Sequence, residues 1–196
     1  MKVDKEFYLC DGLQLSRKLI GKVLCRQTDN GLLRARIIET EAYMGSGDKA
    51  AHASKGKTNR TSVLFEEGGK AYIYLIYGMY CCLNISANIA EVPDCVLIRA
   101  AEPLDGVQQM CMNRNTENLF NLCSGPGKLC QAFSLTKHDN ATDLDSDRLW
   151  IEDDGFTVDM IAVSKRINID YAQEAIDFPW RFYIPDSRYL SVKIKK

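Results

Sequence analysis

Two hairpin signals, set in long runs of strand-like residues, constrain the fold of this chain more than any other feature. Asp29-Asn30-Gly31 separates a strand pattern at 22–27 from one at 32–43, and Asn-Gly is the strongest short-range hairpin dipeptide. Gly78-Met79 separates runs at 71–77 and 80–87, and Gly at the first loop position favours a tight type II′ turn. Further strand patterns lie at 95–101 and near 149–152, 158–163, 181–184 and 189–193, without regular alternation with helices. Parallel strands need long, usually helical crossovers. The order therefore predicts an α+β fold: a mainly antiparallel curved sheet with surrounding helices and a protruding hairpin. Asp11 as N-cap with Gln14 three residues on opens one helix, which Gly21 ends. A short helix is expected at 105–113, and Ser124-Gly125-Pro126 opens another. With 196 residues and no domain-splitting linker, one domain over 1–196 is expected.

The second hairpin strand carries chemistry. In Ile37-Ile38-Glu39-Thr40-Glu41-Ala42-Tyr43 the two-residue period places Ala35, Ile37, Glu39, Glu41 and Tyr43 on one face. That face begins apolar and ends in two carboxylates, as a strand opening onto a site would. The other hairpin holds Tyr72, Tyr74, Tyr77 and Tyr80, more tyrosine than core packing requires. Together they offer a proton acceptor and several π-faces, which suits an enzyme that stacks a flat ring and cleaves a bond attached to it. Two other readings stay open. Glu39 and Glu41 could be the carboxylate pair of a retaining glycosidase, or the tyrosines could form a stacking platform in a binding module without catalysis.

Composition narrows the partners. Net charge is −1, which by itself argues against nucleic acid. Residues 139–154, however, hold seven acids against Arg148, leaving the remainder at +5, with Lys55, Lys57, Arg60 and Lys70 just before the tyrosine hairpin. Residues 138–148 read as an exposed acidic loop. No apolar run reaches the length of a membrane span and the N-terminus has no signal-peptide character, so a cytoplasmic (nucleoid) or nuclear protein is expected. Eight cysteines show no C-x-x-C pair, and His52 and His138 lie far apart, so we expect neither a metal nor disulfides. Ser124-Gly125-Pro126-Gly127-Lys128 is not a phosphate loop, since Leu122 replaces its first glycine and Leu129 its Ser or Thr. A helix N-terminus with a lysine can still meet a phosphate.

Glu39-Thr40-Glu41-Ala42-Tyr43, Ala50-Ala51-His52, the run from Tyr72 to Tyr80, Cys82-Leu83-Asn84, Leu97-Ile98-Arg99-Ala100 with Glu102-Pro103, and Ser124-Gly125-Pro126 with Lys128-Leu129 resemble the alkyladenine (3-methyladenine) DNA glycosylase family. The resemblance runs from about Glu6 to Val192. It implies a monofunctional glycosylase of base excision repair that flips out and hydrolytically excises alkylated or deaminated purines: 3-methyladenine, 7-methylguanine, hypoxanthine or ethenoadenine. Glu41 resembles the general base and Arg99 the arginine that helps hold its water, with a backbone carbonyl near Ile167 as third contact. Tyr43, His52 and Tyr74 resemble the walls of the base pocket, and Asn84 the residue that excludes guanine's 2-amino group. Tyr77 resembles the side chain that fills the gap left by the flipped nucleotide. We expect Arg60, Lys128 and Arg166 to meet the DNA backbone, and the implied partner is double-stranded DNA bearing damaged purines. A monomer without cofactor is expected. The chain departs from the family pattern at Thr61, where Asn is usual, at Leu64 and at Cys111.

Overall fold

The computed structural model describes residues 1–76 and 78–192. Its centre is one long strand. β1 (Val23–Thr28) turns at Asp29-Asn30 into β2 (Gly31–Met44), and the two pair antiparallel from Val23–Arg36 to Thr28–Gly31. β3 (Ala71–Ile76), β4 (Tyr80–Ser86) and β5 (Asp94–Asp105) follow, then β6 (Leu149–Glu152), β7 (Ala162–Ser164) and β8 (Arg181–Tyr183). The order β3-β4-β5-β2-β1-β6, with β8 also on β2 and β7 on β8, makes an eight-stranded antiparallel sheet among the described residues. The expected α+β class with its curved antiparallel sheet is what the chain adopts.

β2 has β5 along one edge and changes partner on the other. The Ile37 amide and carbonyl bond Lys22 and Gly21, on the β1 side, whereas the Ile38 carbonyl accepts from Ile184, beyond β8. The changeover coincides with a bulge: between Ile37 and Glu39 the register against β5 slips by one residue, and it slips again beside Arg99. A bulge leaves one residue unpaired and reverses the face of those that follow. Ile37 consequently packs with Ala35, Ala42 and Ile98 in the main core. Ile38 joins Ala100, Tyr183 and Leu190 in a second cluster. The predicted common face of Ala35, Ile37, Glu39 and Glu41 is therefore wrong in its first half, because strict alternation fails at Ile38.

Helices α1 (Gly12–Leu19), α2 (Val107–Arg114) and α3 (Pro126–Ala132) cover the main core with Leu15, Leu19, Met110, Leu129 and Cys130. Asp11 caps α1 by accepting from the Gln14 amide at 2.8 Å, and Pro126 at the first position of α3 follows its Gly125 cap. Gly127 lies where a Cβ would come within 3.2 Å of Tyr80 Cβ, so α3 packs directly on the start of β4.

Four local expectations need correction. β5 runs on to Asp105, so α2 begins later than predicted. Ile76 pairs with Tyr80, so the β3–β4 connection is longer than a two-residue turn. Residues 189–192 form no strand, since the Ser191 amide bonds a carboxylate instead of a ladder. The 138–148 segment is not simply an exposed loop, since its Asp139, Asp143 and Asp147 pair with Arg26, Lys70 and Lys2; beyond it Glu152, Asp153 and Asp154 pair with Arg34, Lys22 and Arg36. Lys70 thereby leaves the basic cluster read from the sequence. No helix among the described residues is long and apolar enough to cross a membrane.

Candidate active site

Glu41 has no exposed surface and sits where β2, β5 and the chain after β7 meet. Its Oε1 accepts the Ile167 amide at 2.7 Å. Its Oε2 accepts the Tyr43 hydroxyl at 3.0 Å and Arg99 Nη1 at 3.3 Å. Each carboxylate oxygen can accept two hydrogen bonds, so Oε1 retains capacity for a further donor. The bulge beside Arg99 aims its guanidinium along the strand face to both acids, with Nε 3.2 Å from Glu39 Oε1.

Glu39 is equally buried and more heavily engaged, with three donors on Oε1 and one on Oε2. It accepts Arg99 Nε, Arg181 Nε (2.7 Å), the Ser191 hydroxyl (2.7 Å) and the Ser191 amide (2.7 Å). A carboxylate held by four protein donors, two of them guanidiniums, is committed to the fold, which weighs against a pair of catalytic acids. Beside Glu41 the Tyr43 hydroxyl titrates well above its ordinary range because of its burial, and next because the Glu41 carboxylate lies against it.

A cleft of about 1250 Å³ runs past Tyr43, Arg99 and Ile167, with His52, Tyr74 and Leu97 also on its wall. A recess of about 30 Å³ lies among Tyr43, His52, Tyr74, Asn84, Cys95 and Tyr171. His52 meets Tyr74 edge to face at 4.4 Å, and its Nδ1 is 2.9 Å from the Tyr72 hydroxyl. Burial of that imidazole, followed by the nearby Arg60 guanidinium, pushes its pKa down to about 4, so His52 is neutral at pH 7. Burial likewise raises the Tyr72 phenol to about 12. Asn84 is 2% exposed and donates from Nδ2 to the Tyr72 carbonyl at 3.3 Å across β3 and β4.

The structure therefore joins Glu41, Arg99, Tyr43 and Ile167 in one hydrogen-bonded group, in which Ile167 takes part through its amide. His52, Tyr74 and Asn84 share the adjoining recess. Arg60 and Lys128 line the cleft. Lys128 Nζ donates to Asn121 Oδ1 at 2.6 Å, and burial, with Arg114 nearby, holds its pKa below the ordinary lysine value. Tyr77 lies outside the described residues.

Arg166 requires a correction. Its side chain is fully buried, with Nη2 2.8 Å from Asp48 Oδ1, Nη1 also on Asp48, and Nη1 on the Ala42 carbonyl at 2.9 Å. It therefore cannot reach a DNA phosphate. Its guanidinium lies 4.7 Å from the Tyr43 ring and 4.9 Å from that of Trp180. Asp48 also accepts the Met44 and Ala50 amides, fixing the turn that leads to His52. Sequence reading missed Asp48, Arg181 and Ser191. Of these only Asp48 had a local signal, lying between two motifs in a polar segment too long for an idle loop.

Thr61, where Asn is usual, is buried and accepts the Thr58 amide at 2.9 Å, so it closes a turn. Cys111 packs against the core. Among the described residues Arg60, Arg114 and Lys128 line the cleft without a salt bridge, against the one further acid Asp170, so the cleft is net positive while the acidic segment neutralises cations elsewhere.

Residues 6–188 match the family described as methylpurine-DNA glycosylase. A protein of Alkaliphilus oremlandii, named "Putative 3-methyladenine DNA glycosylase", is 47% identical over 98% of this chain and 100% of its own length. Proteins of the same name from Clostridium novyi (43%, 98% of this chain, 99% of its own) and Clostridioides difficile (44%, 93% and 100%) are also similar. With the match covering nearly the whole chain, and an acid-centred aromatic cleft in place, this chain belongs to the methylpurine-DNA glycosylase family and is a DNA glycosylase enzyme.

Proposed function

We propose that this enzyme flips a damaged purine nucleotide out of duplex DNA and hydrolyses its glycosidic bond, with Glu41 as general base. The observation that carries the reading is the Glu41 carboxylate, held by the Ile167 amide, Tyr43 and Arg99 against a cleft walled by His52 and Tyr74. A base inside a duplex is unreachable, and extruding it costs a few kcal/mol. Stacking of the base beside Tyr43, His52 and Tyr74 offsets this by about 1–3 kcal/mol per base. Alkylated purines such as 3-methyladenine and 7-methylguanine carry positive charge, which favours tyrosine faces and a neutral His52. Their charge also makes them good leaving groups. Hypoxanthine and ethenoadenine, being neutral, depend more on hydrogen bonds within the pocket.

As the bond lengthens, its electron pair leaves with the base and C1′ gains oxocarbenium character, which the carboxylate stabilises. Water attacks C1′ through its oxygen and passes a proton to Glu41. The products are the free base and an abasic site, with the strand uncut. Arg60 and Lys128 meet the DNA phosphates. Asn84 crowds the recess against a 2-amino group, which excludes guanine.

Glu41→Gln tests the assignment. It should abolish base release from methylated duplex DNA while lesion binding survives. Retention of more than about a tenth of the activity would mean a loss under 1.4 kcal/mol, too small for a general base.

A further inference from the structure

We propose that Glu39 is a positioning residue that sets the basicity of the catalytic carboxylate by sharing the Arg99 guanidinium with it. The inference rests on Glu41 being the general base. One guanidinium spans both acids: Nε is 3.2 Å from Glu39 Oε1 and Nη1 is 3.3 Å from Glu41 Oε2. Arg181 adds a second cation to Glu39 at 2.7 Å, so two carboxylates and two guanidiniums balance in a buried cluster. Ser191 completes it from the far end of the chain, giving its amide and hydroxyl to Glu39 and lying 3.3 Å from Arg99 Nε.

The consequence is electrostatic. An arginine facing Glu41 alone would hold it firmly as a carboxylate and make it a poor proton acceptor. Glu39 draws part of that charge away, and Arg181 prevents Glu39 from drawing all of it. The groups facing Glu41 are Arg99 from β5, the Tyr43 hydroxyl from its own strand and the Ile167 amide from the segment after β7. Those facing Glu39 are Arg99, Arg181 from β8 and Ser191. Arg166, behind Tyr43, is neutralised by Asp48, and Ser164 takes a remaining Arg181 N–H. His52 titrates from about 4, but it is common to every variant below.

The test is the pH profile of single-turnover base release from methylated duplex DNA. Glu39→Gln keeps an acceptor and removes the charge. Its acid limb should move to lower pH by about one unit, the lower end of the range for a nearby charge, with a plateau about three- to tenfold lower. Glu39→Asp, which keeps the charge, should hold the acid limb at the parent position whatever its plateau. If Glu39→Gln does not fold, Ser191→Ala is measured instead. Loss of that hydroxyl strengthens the hold of Glu39 on Arg99, so the limb should move to higher pH. A limb unchanged in the charge-removing variant, or in Ser191→Ala if that is the one measured, overturns the proposal, as does a limb displaced equally in Glu39→Asp. Glu41→Gln run in parallel separates the two readings: activity retained there refutes the general base itself, whereas an inactive Glu41→Gln beside an unmoved limb refutes only the role of Glu39.

Discussion

Asp48→Ala probes the support behind the aromatic cleft. The Asp48 carboxylate has no exposed surface and holds Arg166 by both terminal nitrogens, together with the Met44 and Ala50 amides. Its removal leaves a guanidinium buried with only the Ala42 and Ala175 carbonyls and two aromatic rings. Breaking a buried pair from one side costs about 3–5 kcal/mol, and the two stranded amides favour the upper part of that range. For a chain of this size each kcal/mol lowers Tm by about 2–4 °C, so a fall of about 6–20 °C is expected. Thermal melting followed by circular dichroism reads it. Adding Arg166→Met to Asp48→Ala removes the stranded charge and should restore a large part of the lost Tm, because buried pairs are replaceable by apolar side chains. Base release should not recover, since the same guanidinium backs the Tyr43 ring and adjoins Ile167, whose amide holds Glu41. A single variant melting within about 2 °C of the parent, or a double variant no more stable than the single, would refute the reasoning.

Three further outcomes are expected. The His52 pKa lies at about 4 against an ordinary 6.5, so its contribution to stability is fully present above pH 6.5 and is lost as pH falls towards 4. Melts of the parent and His52→Gln across pH 4–7 should show the steeper acid loss in the parent, and parallel curves would contradict this. Asn84→Ser should release guanine from mismatches faster than the parent while still processing hypoxanthine, at a stability cost of about 1 kcal/mol for the lost bond to Tyr72; a uniform loss on every base with lowered melting would assign Asn84 to the hairpin alone. Tyr77→Ser should weaken binding to paired lesions by about 1–3 kcal/mol and matter much less on unpaired ones, so equal losses on the two substrates would remove Tyr77 from any flipping role.

Much of the architecture was legible in short-range patterns because those patterns are local physics. Asn30-Gly31 sets a hairpin through its own dihedral preferences, Asp11 caps a helix through a carboxylate three residues from its donor, and Pro126 starts another through its fixed φ. Glu41 and Tyr43 share a face because they are two apart on an uninterrupted piece of strand, and their side chains do meet. What the sequence could not carry was set by residues far apart in it. Ile38 is bulged where β2 changes neighbours, and no local pattern reveals a change of neighbour. Arg166 reads as a surface cation until Asp48, 118 residues away, is found against it in the interior. The acids of 138–148 read as an exposed loop until the fold sets Asp139, Asp143 and Asp147 against Arg26, Lys70 and Lys2. Glu39 and Glu41 are alike as letters two positions apart. The family resemblance singled out Glu41, but the physical difference between the two lies in the tertiary structure, which surrounds Glu39 with Arg181 and Ser191 and leaves Glu41 an acceptor beside the cleft, because the environment of a buried charge depends on what the whole chain brings to it.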